Sequence, residues 1–137
     1  MDDNPADLDL TREVLGKSKL HFHASAVTDG AQAMSFVRHQ GRYAEAPEPD
    51  LIVLDLNLPR KDGRDILSEL KTNPNFSRIP VVIFTTSQAV ADITRSYELG
   101  ANCYLRKPGN LADFITVVQS IGDFWLGRVS LPSREKR

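Results

Sequence analysis

Three polar side chains stand at the ends of apolar runs, and together they are equipped to handle phosphate. Leu51-Ile-Val-Leu runs without interruption into Asp55. Ile79 to Phe84 runs into Thr85-Thr86-Ser87, and Asn102 to Leu105 into Arg106-Lys107-Pro108. A carboxylate, a hydroxyl and an ammonium at one edge supply a nucleophile, a hydrogen-bond donor and a point charge for phosphate oxygens. Thr86 or Ser87 could take the part of Thr85. Asp2 and Asp3 add carboxylates if they reach the same edge. Carboxylates gathered there repel one another unless a cation lies between them, and an oxygen-only set suits magnesium. The chemistry these parts allow is phosphoryl transfer to Asp55, with the metal and Lys107 countering charge on the transferring group.

Such a site requires strands that end together. An unbroken apolar run bounded by turn signals reads as a strand buried on both faces. Leu58-Pro59 and Asp62-Gly63 stop the Leu51 strand. Between the strands lie helical patterns. Asn4-Pro5 caps the first, in which Leu10 with Val14 and Thr11 with Leu15 are expected to face the core before Gly16 ends it. A second helix opens at Asp29-Gly30, a third carries Ile66, Leu67 and Leu70, and a fourth carries Val90, Ile93 and Tyr97. The final helix places Leu111, Phe114, Ile115, Val118, Ile121 and Trp125 on one face. Leu20 to Val27 alternates loosely and is expected to be a strand with one solvated face. Strand and helix in alternation imply an α/β fold with a parallel sheet, whose carboxyl edge is the place for a ligand.

Composition narrows the function. The chain has 137 residues, 41% apolar and 26% charged, with a net charge of −1. That is a one-domain length without a global pull toward nucleic acid or anionic membrane. The apolar runs are too short to span a bilayer, and the acidic first residues do not form a signal peptide. The single cysteine, Cys103, excludes an internal disulfide and fits a reducing cytoplasm, as a small buried residue. His21 and His23 share a strand face without a third metal ligand in view and read as a solvated edge. Arg60 stands where a calcium loop needs glycine. The basic residues Arg134, Lys136 and Arg137 read as a disordered terminus.

Asp2-Asp3, Asp55 with Asn57 and Pro59, Thr85, and Lys107-Pro108 resemble the motif set of the receiver domain of two-component response regulators. The resemblance runs from Asp2 to about Trp125. It implies a doubly wound, flavodoxin-like fold, with residues 1–127 as receiver and 128–137 as tail. It implies that Asp55 accepts a phosphoryl group from a histidine kinase. Asp3 would be a direct Mg2+ ligand with Asp2 as its partner, and Asn57 would offer its backbone carbonyl. Thr85 would swing to the phosphoryl group, Tyr104 would move inward with it, and Lys107 would bind a phosphoryl oxygen, aimed by a cis bond to Pro108. Ser87 occupies the place that tunes phosphate lifetime. Asp-Asn-Pro-Ala-Asp, the long connection before the Leu51 strand, and Trp-Leu followed by Leu-Pro are similar to the single-domain regulators paired with phytochrome-type kinases.

The resemblance also implies an apolar strand just before Asp2, at the centre of the sheet, where this chain has only Met1. Without it the neighbouring strands would lose a shared partner, and Asp2 and Asp3 would hang on a flexible terminus. A truncated or mis-started chain is expected. Otherwise the two neighbouring strands pair directly or another chain fills the gap. The competing function is a phosphate-independent adaptor on a damaged receiver fold. A phosphatase is excluded, because the general acid such an enzyme needs two residues after its nucleophile is replaced by Asn57. Beyond its own phosphorylation and dephosphorylation, no enzymatic activity is expected. Output would pass through a partner surface or homodimer on the fourth to final helices, with Phe124-Trp125-Leu126 contributing. Neither nucleic acid nor membrane is expected as a partner.

Overall fold

The computed structural model describes residues 1–17 and 22–132. Three parallel strands, β1 (Ile52–Leu54), β2 (Val81–Thr85) and β3 (Cys103–Arg106), lie in the order β1-β2-β3. Their register pairs Leu54 with Ile83 and Thr85 with Arg106, so all three chains end at one edge. Each connection is a helix: α3 (Gly63–Thr72) after β1 and α4 (Val90–Glu98) after β2, with α5 (Leu111–Ile121) following β3. Before β1 come α1 (Pro5–Gly16) and α2 (Gly30–Val37).

Side chains alternate across the strands, and the core is accordingly divided in two. Ile52, Leu54, Val81 and Ile83 face α2 and α3, where Met34, Val37, Ile66, Leu67 and Leu70 are buried. Phe84 and Val53 turn the other way, toward Phe114, Val118 and Ile121 of α5 and toward Leu10, Val14 and Leu15 of α1. The layers are those of a doubly wound sheet. Four helices start on side-chain caps: Asn4, Asp29, Asp62 and Asn110 each accept a backbone N–H from the first turn. The α5 helix continues into a π-helical turn over Gly122–Leu126.

One expectation changes, the Leu20–Val27 strand. Leu20 and His21 lie outside the described residues, and 22–27 is extended without a ladder. Phe22, Ala24 and Ala26 are half-buried while His23 and Ser25 are exposed, so the alternation is real. Among the described residues no strand is bonded to this segment. Residues 22–27 do not pair directly with β1. Met1 and Asp2 reach between them: the Met1 ammonium donates to Val53 O at 3.0 Å, Asp55 N donates to Met1 O at 2.9 Å, and Asp2 N donates to Val27 O at 3.1 Å. Beyond Met1 the same gap is a cavity of about 580 Å³, lined among others by Leu15, Phe22, Val53, Phe84 and Leu131.

On the fourth helix Val90 is 78% and Tyr97 51% exposed, Ile93 is half-buried, and the buried residue of α4 is Ser96. Leu111, at the start of α5, is likewise 63% exposed. At the start of the tail Arg128 N and Val129 N both donate to Phe124 O, while Arg134, Lys136 and Arg137 lie outside the described residues. No helix among the described residues is long and apolar enough to cross a membrane.

Candidate functional site

The site lies where the three strands end. Asp55 follows the last residue of β1, Thr85 closes β2, and Lys107 follows β3. All three are buried. The Thr85 hydroxyl donates to Asp55 Oδ1 at 2.9 Å, and the Asn57 N–H donates to the same oxygen at 3.0 Å. Lys107 Nζ donates to Asp55 Oδ2 at 2.9 Å. The Lys107 backbone N–H also donates to Thr85 O at 2.6 Å, which locks the end of β3 to the end of β2. Gly63 lets α3 start directly against this edge, since a Cβ there would lie 2.3 Å from Asp55 O.

The N-terminus supplies further carboxylates. Lys107 Nζ donates to Asp2 Oδ2 at 2.6 Å and to Asp7 Oδ2 at 2.9 Å. Asp2 is not on a loose terminus, as the missing strand led one to expect. Its backbone N–H is bonded to Val27, its side chain accepts from Asn4 N at 3.0 Å, and it is buried. Asp3 is exposed at the rim. Oxygens of Asp2, Asp3 and Asp55 lie within 4.8 Å of one another.

Charge sets the protonation of the cluster. Burial, the largest influence on Asp55, would push its carboxyl up. The Asn57 N–H, the Lys107 ammonium and the Thr85 hydroxyl together outweigh it and hold Asp55 below the ordinary carboxylate range. Asp2 goes the other way, because its burial outweighs the Lys107 and Asn4 hydrogen bonds. Lys107 loses solvation too, but its bonds to Asp2, Asp55 and Asp7 keep it firmly protonated, well above the ordinary lysine value. Asp55 is therefore an anion with no proton to lose, the form a nucleophile needs.

Residues 1–119 match the profile of the response regulator receiver domain. The chain belongs to the response regulator receiver family. It is 49% identical over 133 residues to the response regulator Rcp1 of Synechocystis sp., covering 97% of this chain and 90% of Rcp1. The Mn2+-bound crystal structure of Rcp1 matches with a TM-score of 0.95 over 97% of this chain and 96% of that one. The phosphorylated cyanobacterial phytochrome response regulator RcpA matches with a TM-score of 0.93 at 47% identity, over 97% and 95% of the two chains.

Receiver domains carry a divalent metal in their acidic pocket, and the residues of this receiver fit one. The donor set of Asp2, Asp3 and Asp55 is oxygen-only, and the three are close enough to share an ion. Asp7 is the residue that reading the sequence did not assign. Its signal was present: the third carboxylate of the opening cluster falls three residues after the Asn4 cap, and its N–H donates to Asn4 Oδ1 at 3.1 Å. That capped first turn directs Asp7 back at the strand ends. Tyr104 is half-buried and its hydroxyl donates to Ser87 O at 2.9 Å, so the ring already reaches the loop that follows Thr85. The cis bond expected before Pro108 is not found: among the described residues no peptide bond is cis, and Lys107 is aimed by its carboxylate partners and by the Thr85 carbonyl. Cys103 is half-buried, where burial pushes its thiol pKa up. His23 is exposed, as a solvated edge should be, and His21 lies outside the described residues.

Proposed function

We propose that Asp55 is the phosphoacceptor of this receiver. Its carboxylate attacks the phosphorus of a phosphohistidine on a sensor histidine kinase, the P–N bond breaks, and an acyl phosphate forms on Asp55. The carrying observation is the single hydrogen-bonded network at the sheet edge, in which Thr85 and Lys107 each hold one oxygen of Asp55 at 2.9 Å. After transfer the same groups face the phosphoryl oxygens. Thr85 donates a hydrogen bond, and the Lys107 ammonium counters the added charge of nearly two units. Asp2, Asp3, Asp55 and the backbone carbonyl of Asn57 would hold Mg2+, which supplies charge neutralisation for the phosphoryl oxygens. Asp7 helps to hold Lys107 in place through its own hydrogen bond to Nζ.

The reading extends to setting. The 47% identity to RcpA, a cyanobacterial phytochrome response regulator, supports a phytochrome-type kinase as donor, and we infer a cytoplasmic place of action from the receiver reading. Residues 1–127 act as the receiver and 128–137 as a tail. The protein is a signalling switch, with no chemistry beyond its own phosphorylation and dephosphorylation. Exposed Val90, Tyr97 and Leu111 support output through the face formed by α4 and α5, in a homodimer or against a protein target.

Labelled acetyl phosphate with Mg2+ tests the assignment. The native chain should take up label and Asp55→Asn should not. Uptake by Asp55→Asn equal to the native level would refute Asp55. Lys107→Ala should still bind Mg2+ but lose the structural response to beryllofluoride, a phosphoryl mimic.

A further inference from the structure

Two loops flank Asp55, and one side-chain bridge joins them outside the site. The first loop runs from Leu56 to Asp62, where Asp62 caps α3 through the Arg64 N–H. The second runs from Thr86 to Ala89 ahead of α4. Arg64, in the first turn of α3, spans them. Its Nη1 donates to Asp62 Oδ1 at 3.0 Å, while Nη2 and Nε donate to Asp92 Oδ1 at 2.8 and 3.3 Å. The other oxygen of Asp92 accepts from the Ser87 hydroxyl at 2.6 Å. Ser87 in turn accepts the Tyr104 hydroxyl on its carbonyl, and its Oγ accepts from Ala89 N at 3.3 Å. The α4 helix has Ala89 at its cap and no side-chain cap of its own, so Ser87 and Asp92 provide the polar tie at that end.

We propose that Arg64 and Asp92 are positioning residues for the phosphoryl site: a clamp that draws the 86–89 loop toward α3 and so keeps Thr85 on Asp55 and Tyr104 on the loop. The proposal rests on the phosphoacceptor reading and deepens it. The geometry closes a ring. Asp55 leads through its loop to Asp62, across Arg64 to Asp92, across Ser87 to the loop, and back through Thr85 to Asp55 Oδ1. Each link is a hydrogen bond or a covalent stretch of a few residues. The guanidinium reaches the two carboxylates through separate nitrogens of one rigid plane, Nη1 to Asp62 and Nη2 with Nε to Asp92, a span that the single nitrogen of a lysine does not have. Burial is partial, with side-chain exposures of 31% for Arg64 and 25% for Asp92, so the pair is stronger than an open surface ion pair and weaker than a core one. Arg64 and Asp92 bond to Asp62, Ser87 and each other and reach Asp55 only by way of Thr85, which separates their effect from that of the metal-binding carboxylates.

The prediction is a split between two affinities of the full chain, read by titration calorimetry. Arg64→Ala should weaken beryllofluoride binding in saturating Mg2+ by about three- to tenfold, the net worth of an ordinary hydrogen bond, since the bridge is partly solvated and acts through the loop. Mg2+ affinity without beryllofluoride should stay within about twofold, because the affected groups are not its ligands. Ser87→Ala, which removes the loop-side contact and leaves the ion pair, should act in the same direction. Arg64→Lys should restore only part of the loss. Arg64→Ala with Asp92→Ala should cost no more than either alone, as for two members of one link. Equal loss of Mg2+ and beryllofluoride affinity would mean a general structural role and overturn the clamp, as would unchanged beryllofluoride binding in Arg64→Ala, or additive costs in the double variant. Failure of the native chain itself to bind beryllofluoride with Mg2+ would instead overturn the phosphoacceptor reading, and the clamp with it.

Discussion

The two ends of the sheet are built from similar alternating apolar segments, yet they are held in different ways. From β1 to β3 every strand has a parallel partner, and Leu54, Val81, Val82 and Ile83 are wholly buried. On the other side of β1, residues 22–27 keep a strand's burial pattern and Val27 packs into the core, but their backbone is tied to β1 by way of Met1 and Asp2. The lesson is that an alternating segment becomes a strand only when a partner's backbone is within reach. Hydrophobic alternation sets which side faces in, whereas the ladder itself is a pairwise property. The site straddles this boundary. Asp55, Thr85 and Lys107 come from the laddered side, and Asp2, Asp3 and Asp7 from the other.

The sharpest way to break the comparison is a pair of truncations. Ile83→Ala removes packing inside the fully laddered half and should cost about 2–5 kcal/mol in urea unfolding. Phe22→Ala, on the half-buried segment, should cost less than about 1 kcal/mol. Equal costs would mean that both sides are equally consolidated.

A second test uses pH. Burial, its largest influence, lowers the Met1 ammonium from its ordinary 8.0 to about 6, although the charges of Asp2 and Asp55 oppose the shift. The unfolded chain then binds more protons than the folded one between these values, so stability must rise with pH across that window. Below about 6 the full penalty applies, and above about 8 none remains. The gain should be about 2 kcal/mol between about pH 5.5 and 8.5. A flat profile would show that the amine is solvated and that the cavity beyond it is open to water. The smallest effect belongs to the surface of α1, where Glu13 and Lys17 lie 3.6 Å apart and are mostly exposed. Glu13→Ala should change stability by less than about 0.5 kcal/mol. A larger loss would show that α1 depends on its exposed face more than on its packing against α5.

Local pattern was enough for much of this protein. Apolar runs ending in Asp55, Thr85 and Lys107 marked three strands and their common edge, because a buried strand must be continuously apolar and its first polar residue must leave the core. Caps at Asn4, Asp29 and Asp62 marked helix starts for an equally local reason, the unpaired N–H groups of a first turn. What depends on distant partners was not legible. Whether 22–27 forms a ladder is decided by what lies beside it. Whether Val90 and Tyr97 face in or out depends on where α4 sits against β3, and spacing fixes only that they share a side. The contact of Asp7 with Lys107 joins residues 100 positions apart. The Arg64–Asp92 bridge requires α3 and α4 to be neighbours. Sequence determined which residues could form the site and on which elements they would stand. Tertiary packing alone decided which of them meet, since a hydrogen bond needs two groups in place and each element carries only one.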